Sequence, residues 1–373
     1  MNSLFILAGE RSGDRHGAGL MEELRQFSPG LEIHGLGGGE MHALCPAVTD
    51  WVDEAGVVGI VEVLKKYGWF KKKFDETLAA IRRLKPDAVV FIDYPGFNLR
   101  MAKALRDGGF SGRLVYYISP QVWAWHRGRI PKMAAMLDLM ICIFPFEKAL
   151  YEGHGLPTIF GGHPLVEYHR KNFPEPAVRE PGLIGLFPGS RRREITKLFP
   201  ILIETARRMR AADPSLKFAA SAASEKLAVM MRALLEAAPL EGLTIETGTM
   251  HTLMRRVECG AVASGTATLE AAIHGLPHCL IYRVALGTYL FAKAVIKVEH
   301  LGMVNLLAGR EIVRELLQSD CTPAKISEEL LRLHRSPEAR EALAGDMKTI
   351  VDGLAGDGAY RRAAQAILEA ARK

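Results

Sequence analysis

Several common signatures are missing from this chain, and each absence narrows what it does. The five cysteines, Cys45, Cys142, Cys259, Cys279 and Cys321, are scattered with no CxxC pair. That excludes a disulfide scaffold and a thiolate metal site, and it fits free thiols in a reducing compartment. There is no D-x-D triplet, no HExxH and no run of clustered Cys and His, so no metal and no cofactor is expected. A G-x-x-x-x-G-K-[ST] loop is also missing, which argues against a P-loop ATPase. The longest apolar runs, such as Leu139 to Phe146, fall short of the ~20 residues that span a bilayer. Met1-Asn2-Ser3 leads straight into an apolar run, so no signal peptide is expected and any work on membranes is placed on the cytoplasmic face. No short-period repeat or low-complexity tract occurs.

With 49% hydrophobic and 24% charged residues, the composition is that of an ordinary globular protein. At 373 residues there is room for two sizeable cores. The formal charge of +6 suits nucleic acid, an anionic membrane surface or phosphorylated substrates, and equally a plain solvated basic surface.

Short apolar runs alternate with longer helical patterns. Strands are expected at Leu4–Ala8, Leu31–His34, Ala88–Asp93, Leu114–Ser119, Leu139–Phe144 and Thr158–Gly161. A second set is expected at Leu183–Pro188, Lys217–Ser221, Leu243–Glu246, Gly260–Ala263 and Cys279–Tyr282. Near-continuous apolar strands separated by helices predict parallel sheets covered on both faces. The proline-containing, charged stretch 168–182 reads as a linker, and Ile326 to Lys373 reads as helical without a strand.

The most informative run is Leu183-Ile184-Gly185-Leu186-Phe187-Pro188-Gly189-Ser190-Arg191, because it repeats the plan of Leu4-Phe5-Ile6-Leu7-Ala8-Gly9-Glu10-Arg11-Ser12-Gly13-Asp14. Both read as strand, glycine turn and helix N-terminus, a unit that points backbone N–H groups and a positive dipole end at one place, as a phosphate requires. Arg191 suits bidentate binding of a diphosphate, or it opens a solvated helix. Asp93, at the end of an apolar strand in Asp93-Tyr94-Pro95-Gly96-Phe97-Asn98, suits a desolvated general base and equally a turn cap. The indoles of Ser119-Pro120-Gln121-Val122-Trp123-Ala124-Trp125-His126-Arg127 suit a sugar or acyl pocket, though as packing groups they are unexceptional. Ser264-Gly265-Thr266 lets a backbone approach a ligand, and Glu270, about one turn into the next helix, suits ribose hydroxyls or a surface position. Asn305 on its own reads as a helix cap.

Taken in order, these strings resemble the lipid-A-disaccharide synthases, glycosyltransferases of the two-domain GT-B architecture. Further matching pieces are Gly59-Ile60-Val61-Glu62-Val63-Leu64, Pro145-Phe146-Glu147-Lys148 and Asn305-Leu306-Leu307-Ala308-Gly309-Arg310-Glu311, and the set runs from near Leu4 to about Gln318. The resemblance implies an α/β fold of two facing doubly wound, Rossmann-like domains with a cleft between them. Residues 1–167 would bind acceptor and lipid, 168–182 would link, and 183–345 would bind the UDP-sugar. The helices of 346–373 would be free to pack back on the first domain, as in many GT-B proteins.

The implied reaction joins UDP-2,3-diacylglucosamine to 2,3-diacylglucosamine 1-phosphate (lipid X) with inversion at the anomeric carbon, giving the disaccharide 1-phosphate and UDP. On that reading Asp93 is the base, His16 the runner-up, and Glu10, Ser12, Gly13 and Asp14 shape the acceptor side. Gly189, Ser190, Arg191, Ser264, Gly265, Thr266, Glu270 and Asn305 hold the UDP-sugar. Two positions depart from the family pattern: Gly96 stands where an acidic residue is expected, and Val304 where a proline is expected. The first removes a second carboxylate, and the second leaves the loop before Asn305 less restrained.

Lipid substrates imply peripheral association with the inner membrane. The segment holding Val63, Leu64, Tyr67, Trp69, Phe70, Lys71 and Lys72 mixes aromatics with lysines, as an anionic interface favours. The competing reading of that segment is a core helix with lysines snorkelling outward. A homodimer is left open. The nearest rival function is a UDP-sugar epimerase of the same architecture, which needs no lipid. A nucleic-acid-binding module is the more distant one: the basic groups are dispersed and no reader motif is present, so no nucleic-acid partner is expected.

Overall fold

The computed structural model describes residues 2–55, 66–284, 299–354 and 358–372. The chain divides into two compact units, Met1–Glu167 with Leu354–Lys373, and Tyr168–Gly353.

The first unit is built on seven parallel strands: β1 (Ser3–Ala8), β2 (Glu32–Gly37), β3 (Val48–Asp50), β4 (Ala88–Ile92), β5 (Arg113–Tyr117), β6 (Leu139–Cys142) and β7 (Thr158–Phe160). Their order is β3-β2-β1-β4-β5-β6-β7, and the register sets Ala8 beside Ile92. The central strand β4, Ala-Val-Val-Phe-Ile, is buried along its whole length, as a strand covered by helices on both faces must be. Its core gathers Phe91, Phe97, Met101, Tyr116 and Trp51. The helix Ala359–Ala370 packs on the helix Arg11–Phe27, so the chain's last helix belongs to this unit.

The second unit holds β8 (Glu180–Phe187), β9 (Lys217–Ala222), β10 (Leu243–Thr247), β11 (Val257–Ala263), β12 (His278–Tyr282) and β13 (Glu315–Leu317), all parallel, in the order β10-β9-β8-β11-β12-β13. Within the stretch 168–182, the first residues complete the helix Pro164–Asn172 and the last begin β8. The three-residue strands β3 and β13 lie at sheet edges and had no strand signal in the sequence. Short edge strands limit edge-to-edge pairing with other chains. Among the described residues, no helix is long and apolar enough to cross a membrane.

Candidate active site

In each sheet the strand order reverses between two neighbours, β1 and β4 in the first unit and β8 and β11 in the second. Open parallel sheets bind ligands outside the carboxyl ends of strands at such a switch point. The sequence motifs sit there in pairs: Gly9–Asp14 after β1 with Asp93–Asn98 after β4, and Gly189–Arg191 after β8 with Ser264–Thr266 after β11.

At the first switch point, Asp93 and Tyr94 both adopt left-handed backbone, with φ of 45° and 47°. Two consecutive non-glycine residues in that region store strain, which persists only where surroundings enforce it. Here the enforcement is visible: Asn98 Nδ2 and the Tyr116 hydroxyl both donate to the Asp93 carbonyl, at 2.7 and 2.6 Å. Asn98 is therefore a buried strut for the loop. Burial, with the Glu10 carboxylate adding repulsion, pushes the half-buried Asp93 carboxyl up to about 6. That value suits a general base working near neutrality. Glu10 and Ser12 are exposed beside it, and Gly13 lies close against Ala8 and Ile92.

Two residues expected here have other work. Asp14 is buried, and its carboxylate accepts from the backbone N–H groups of Gly38 (2.7 Å), Met41 (3.0 Å) and Glu40 (3.0 Å). It caps the short helix Gly39–Leu44 from the neighbouring segment. His16 Nδ1 lies 3.0 Å from the Tyr360 hydroxyl on the C-terminal helix, and burial with nearby Arg15 lowers its pKa to about 4. Its ring is thereby joined to the C-terminal helix.

Beside the Asp93 turn lies a cavity of about 450 Å³ lined by Tyr67, Phe70, Phe74, Tyr94, Phe97, Lys71 and Arg100, with Gly96 at its wall. Its aromatic lining and two cations match an acyl chain carried by an anionic head. Trp69 and Phe70 pack inward on Trp51, with ring centroids 5.9 and 6.5 Å away, so they are part of an aromatic cluster rather than a free face. Tyr67 is 60% exposed, and Lys71 and Lys72 are exposed with it. Val63, Leu64 and the rest of the Gly59–Leu64 motif lie outside the described residues.

Two further motifs meet in the same unit. The Trp123 indole donates to Glu147 Oε1 at 2.8 Å, and Glu147 Oε2 accepts from the Phe144 N–H at 3.2 Å. Burial pushes the Glu147 carboxyl up to about 7 against these donors. Trp123 is thus a packed, hydrogen-bonded strut.

At the second switch point the two helix N-termini differ. After β8, Glu194 Oε2 accepts from the N–H groups of Ser190 (3.0 Å) and Arg191 (3.1 Å). The amides expected to receive a phosphate are therefore already capped by the chain's own carboxylate, and Gly189 (φ 105°) faces the same group. The Arg191 guanidinium, 70% exposed, lies 3.3 Å from Glu194 Oε1. After β11, the helix Thr266–Ile273 starts at Gly265 (φ 144°) with no side-chain cap, and Gly265 and Thr266 are exposed. This open N-terminus is the better anion site of the two.

Asn305 is fully buried, with its amide consumed. Nδ2 donates to Val313 O (2.7 Å) and Glu315 Oε1 (2.9 Å), and Oδ1 accepts from Ile312 N (2.9 Å) and Val313 N (2.8 Å). It fastens the loop before β13 through these four bonds. Glu270 is nearly buried and faces His251 Nε2 at 3.1 Å and His169 Nε2 at 3.6 Å. Burial favours its neutral form, but the two imidazoles outweigh this and hold it at about 2, so the carboxylate is ionised. Sequence reading missed His169 and His251, which lie on two other helices far from Glu270 in the chain.

The same two-unit fold occurs in solved proteins. The UDP-GlcNAc 2-epimerase of Neisseria meningitidis, bound to UDP-GlcNAc, aligns with a TM-score of 0.61 over 99% of both chains at 11% identity. Phytolacca americana UGT2, complexed with UDP-2-fluoro-glucose and pterostilbene, aligns at 0.60 over the full length of both at 9% identity. At such identities the likeness is one of fold. Sequence comparison is more specific. The chain is 38% identical over 380 residues to the lipid-A-disaccharide synthase of Trichlorobacter lovleyi, covering 98% of this chain and 96% of that one. It is 37% identical over 375 residues to that of Geobacter sulfurreducens, with the same coverage. The family profile described as lipid-A-disaccharide synthetase matches residues 4–370. With that match spanning both switch points and nearly the whole chain, this protein belongs to the lipid-A-disaccharide synthase family and is a glycosyltransferase of GT-B fold.

Proposed function

We propose that the chain transfers 2,3-diacylglucosamine from its UDP-activated form to the 6-hydroxyl of 2,3-diacylglucosamine 1-phosphate. Asp93 takes the hydroxyl proton as the oxygen attacks the anomeric carbon. The bond from that carbon to the diphosphate breaks with its electron pair leaving on UDP, so a single displacement inverts the centre. Arg191 and the open N-terminus at Ser264-Gly265-Thr266 meet the charge developing on the diphosphate. Gly189 and Ser190 shape the turn that presents Arg191, and the ionised Glu270 offers an acceptor for ribose hydroxyls.

The observation that carries this reading is the juxtaposition of a strained, desolvated Asp93 with the aromatic cavity rimmed by Lys71 and Arg100. A proton acceptor beside an apolar pocket with cations suits an acylated, phosphorylated sugar. An epimerase needs no such pocket. Glu10 and Ser12 stand where the acceptor sugar would lie, with Glu10 also raising the basicity of Asp93. The exposed Tyr67, Lys71 and Lys72 favour work at the cytoplasmic face of an anionic inner membrane, from which both substrates would be drawn.

The test is UDP release from UDP-2,3-diacylglucosamine in detergent micelles, with and without the monosaccharide 1-phosphate. Release that depends on the acceptor and yields a disaccharide is the expected result. UDP binding with no acceptor-dependent product would overturn the proposed substrates.

A further inference from the structure

The second unit contains two histidines that the transfer reaction does not use, both facing Oε1 of Glu270. His169 sits in the last turn of the helix Pro164–Asn172, His251 in the first turn of Met250–Arg256, and Glu270 within Thr266–Ile273. One donor atom from each lies within 4.8 Å of the other two. His251 Nε2 and His169 Nε2 stand 3.1 and 3.6 Å from Glu270 Oε1. Ligands ~2.0–2.1 Å from a tetrahedral zinc ion are separated by ~3.3–3.4 Å, so two of the three edges already have the right length.

Burial adds a second, independent indication. His169 is 1% exposed, and neither of its ring nitrogens has a hydrogen-bond partner. Nδ1 faces no polar partner and Nε2 has only the Glu270 carboxylate at 3.6 Å, so burying this imidazole carries a desolvation cost that a metal bond would offset. The ring of His274 packs edge-on against His169, with centroids 4.7 Å apart, and its buried Nε2 is also unpartnered. The guanidinium of Arg255, which lines the neighbouring cavity, is engaged with the carbonyls of Phe173, Glu175 and Pro176. A cavity of about 180 Å³, lined in part by His169, Phe173, Arg255 and His274, opens beside the group and supplies an approach and space for a further ligand such as water.

We propose that His169, His251 and Glu270 form a binding site for one divalent transition-metal ion of the zinc class, with a coordination position left open. Two imidazoles and one carboxylate suit zinc, cobalt or nickel; magnesium and calcium prefer all-oxygen sets. The ion neutralises the buried carboxylate, gives one buried ring nitrogen of His169 a partner and pins three helices together. Because Glu270 shares its helix with Gly265 and Thr266, the ion fixes the helix whose N-terminus faces the donor. The proposal stands on the side-chain geometry alone and survives a different sugar donor.

The experiment uses the untagged, full-length protein freed of metal by chelator. Titration with Zn(II) is followed by calorimetry, and titration with Co(II) by the visible absorption of a low-symmetry, four-coordinate ion. Saturable one-to-one binding and that absorption are expected. His251→Gln and His169→Gln should each weaken binding about 100-fold or more, since even residues behind the ligands cost 10–100-fold. Far-UV circular dichroism checks that each variant is folded, and either folded variant is sufficient. No saturable binding by the native chain, or binding unchanged in a folded variant, would overturn the site.

Discussion

The ring of Tyr94 lies so close to Gly9 that a Cβ at Gly9 would sit 2.2 Å from Tyr94 Cδ1. The glycine after β1 and the left-handed turn after β4 are therefore one unit, and Asp93 is held by both. Gly9→Ala must push Tyr94 away and with it the strained Asp93 backbone. The expected cost is about 1–3 kcal/mol of stability, as for other overpacked sites, with a larger loss in turnover. Urea unfolding beside kcat measurement checks it; unchanged kcat would show that the Tyr94 position does not matter to the base.

Asp93 should impose the acid limb of the pH–rate profile. The base acts only when ionised, so activity falls as pH drops through about 6 and is flat above. The effect on stability has the opposite sense. Its native pKa lies above the ordinary value of 3.8, so the native state binds more protons in that window, and stability decreases as pH rises from near 4 to about 6. Asp93→Asn should thus abolish turnover yet leave the melting temperature at pH 8 equal or higher, with UDP binding retained. A variant with near-native turnover would remove Asp93 from the mechanism.

Asn305→Ala should behave as a fold variant. It deletes four hydrogen bonds and strands the buried Val313 N–H and the half-buried Ile312 N–H. A loss of about 2–4 kcal/mol is expected, at the upper end for a single side chain. UDP affinity of the folded fraction, measured calorimetrically, should stay within about twofold, far below the ~1.4 kcal/mol that marks a tenfold change. A large selective loss of UDP affinity would return Asn305 to the donor site.

Arg191→Ala should weaken UDP binding about 10–100-fold, the equivalent of the ~1.5–3 kcal/mol of a charge-assisted hydrogen bond. Its native partner Glu194 already occupies the Ser190 and Arg191 amides, so those amides are not expected to compensate. Unaltered affinity would place the diphosphate wholly at the Gly265 N-terminus.

Charge reversal at Lys71 and Lys72 tests the membrane contact. Each basic group near an anionic surface contributes about 1 kcal/mol, so the double Glu variant should lose at least ~30-fold in vesicle affinity, and the native binding should fall with salt. Binding to phosphatidylserine-containing vesicles that ignores both changes would leave Tyr67 and the apolar cavity as the only means of contact.

Much of the fold was legible because its signals are local. Apolar runs such as Ala88–Ile92 and Leu183–Phe187 are buried on both faces and leave a continuous hydrophobic record. Strands β3 and β13 left none, since Val-Thr-Asp and Glu-Leu-Leu each carry a charged residue in three, whereas the equally short edge strand β7, Thr-Ile-Phe, is β-branched and aromatic throughout. The placement of Gly9, Asp93, Gly265 and Arg191 just after strand ends was legible because turn chemistry and strand ends are written in neighbouring residues. The partners of Asp14, His16 and Asn305 were not legible, for the opposite reason. Their partners are Gly38 and Met41, Tyr360, and Val313 with Glu315, and which of these a side chain reaches is decided by packing.

The sequence alone determined the two parallel sheets, the motif placed at each switch-point strand and the family, since periodicity, glycine turns and ordered motifs are properties of the linear chain. Only the tertiary structure decided which polar groups remain available. It joined Trp123 to Glu147, capped the Arg191 turn with Glu194, and brought His169 and His251 to Glu270 across separations that no spacing rule spans. The physical reason is that a buried donor or acceptor must find a partner wherever the fold supplies one, and long-range packing sets who that partner is.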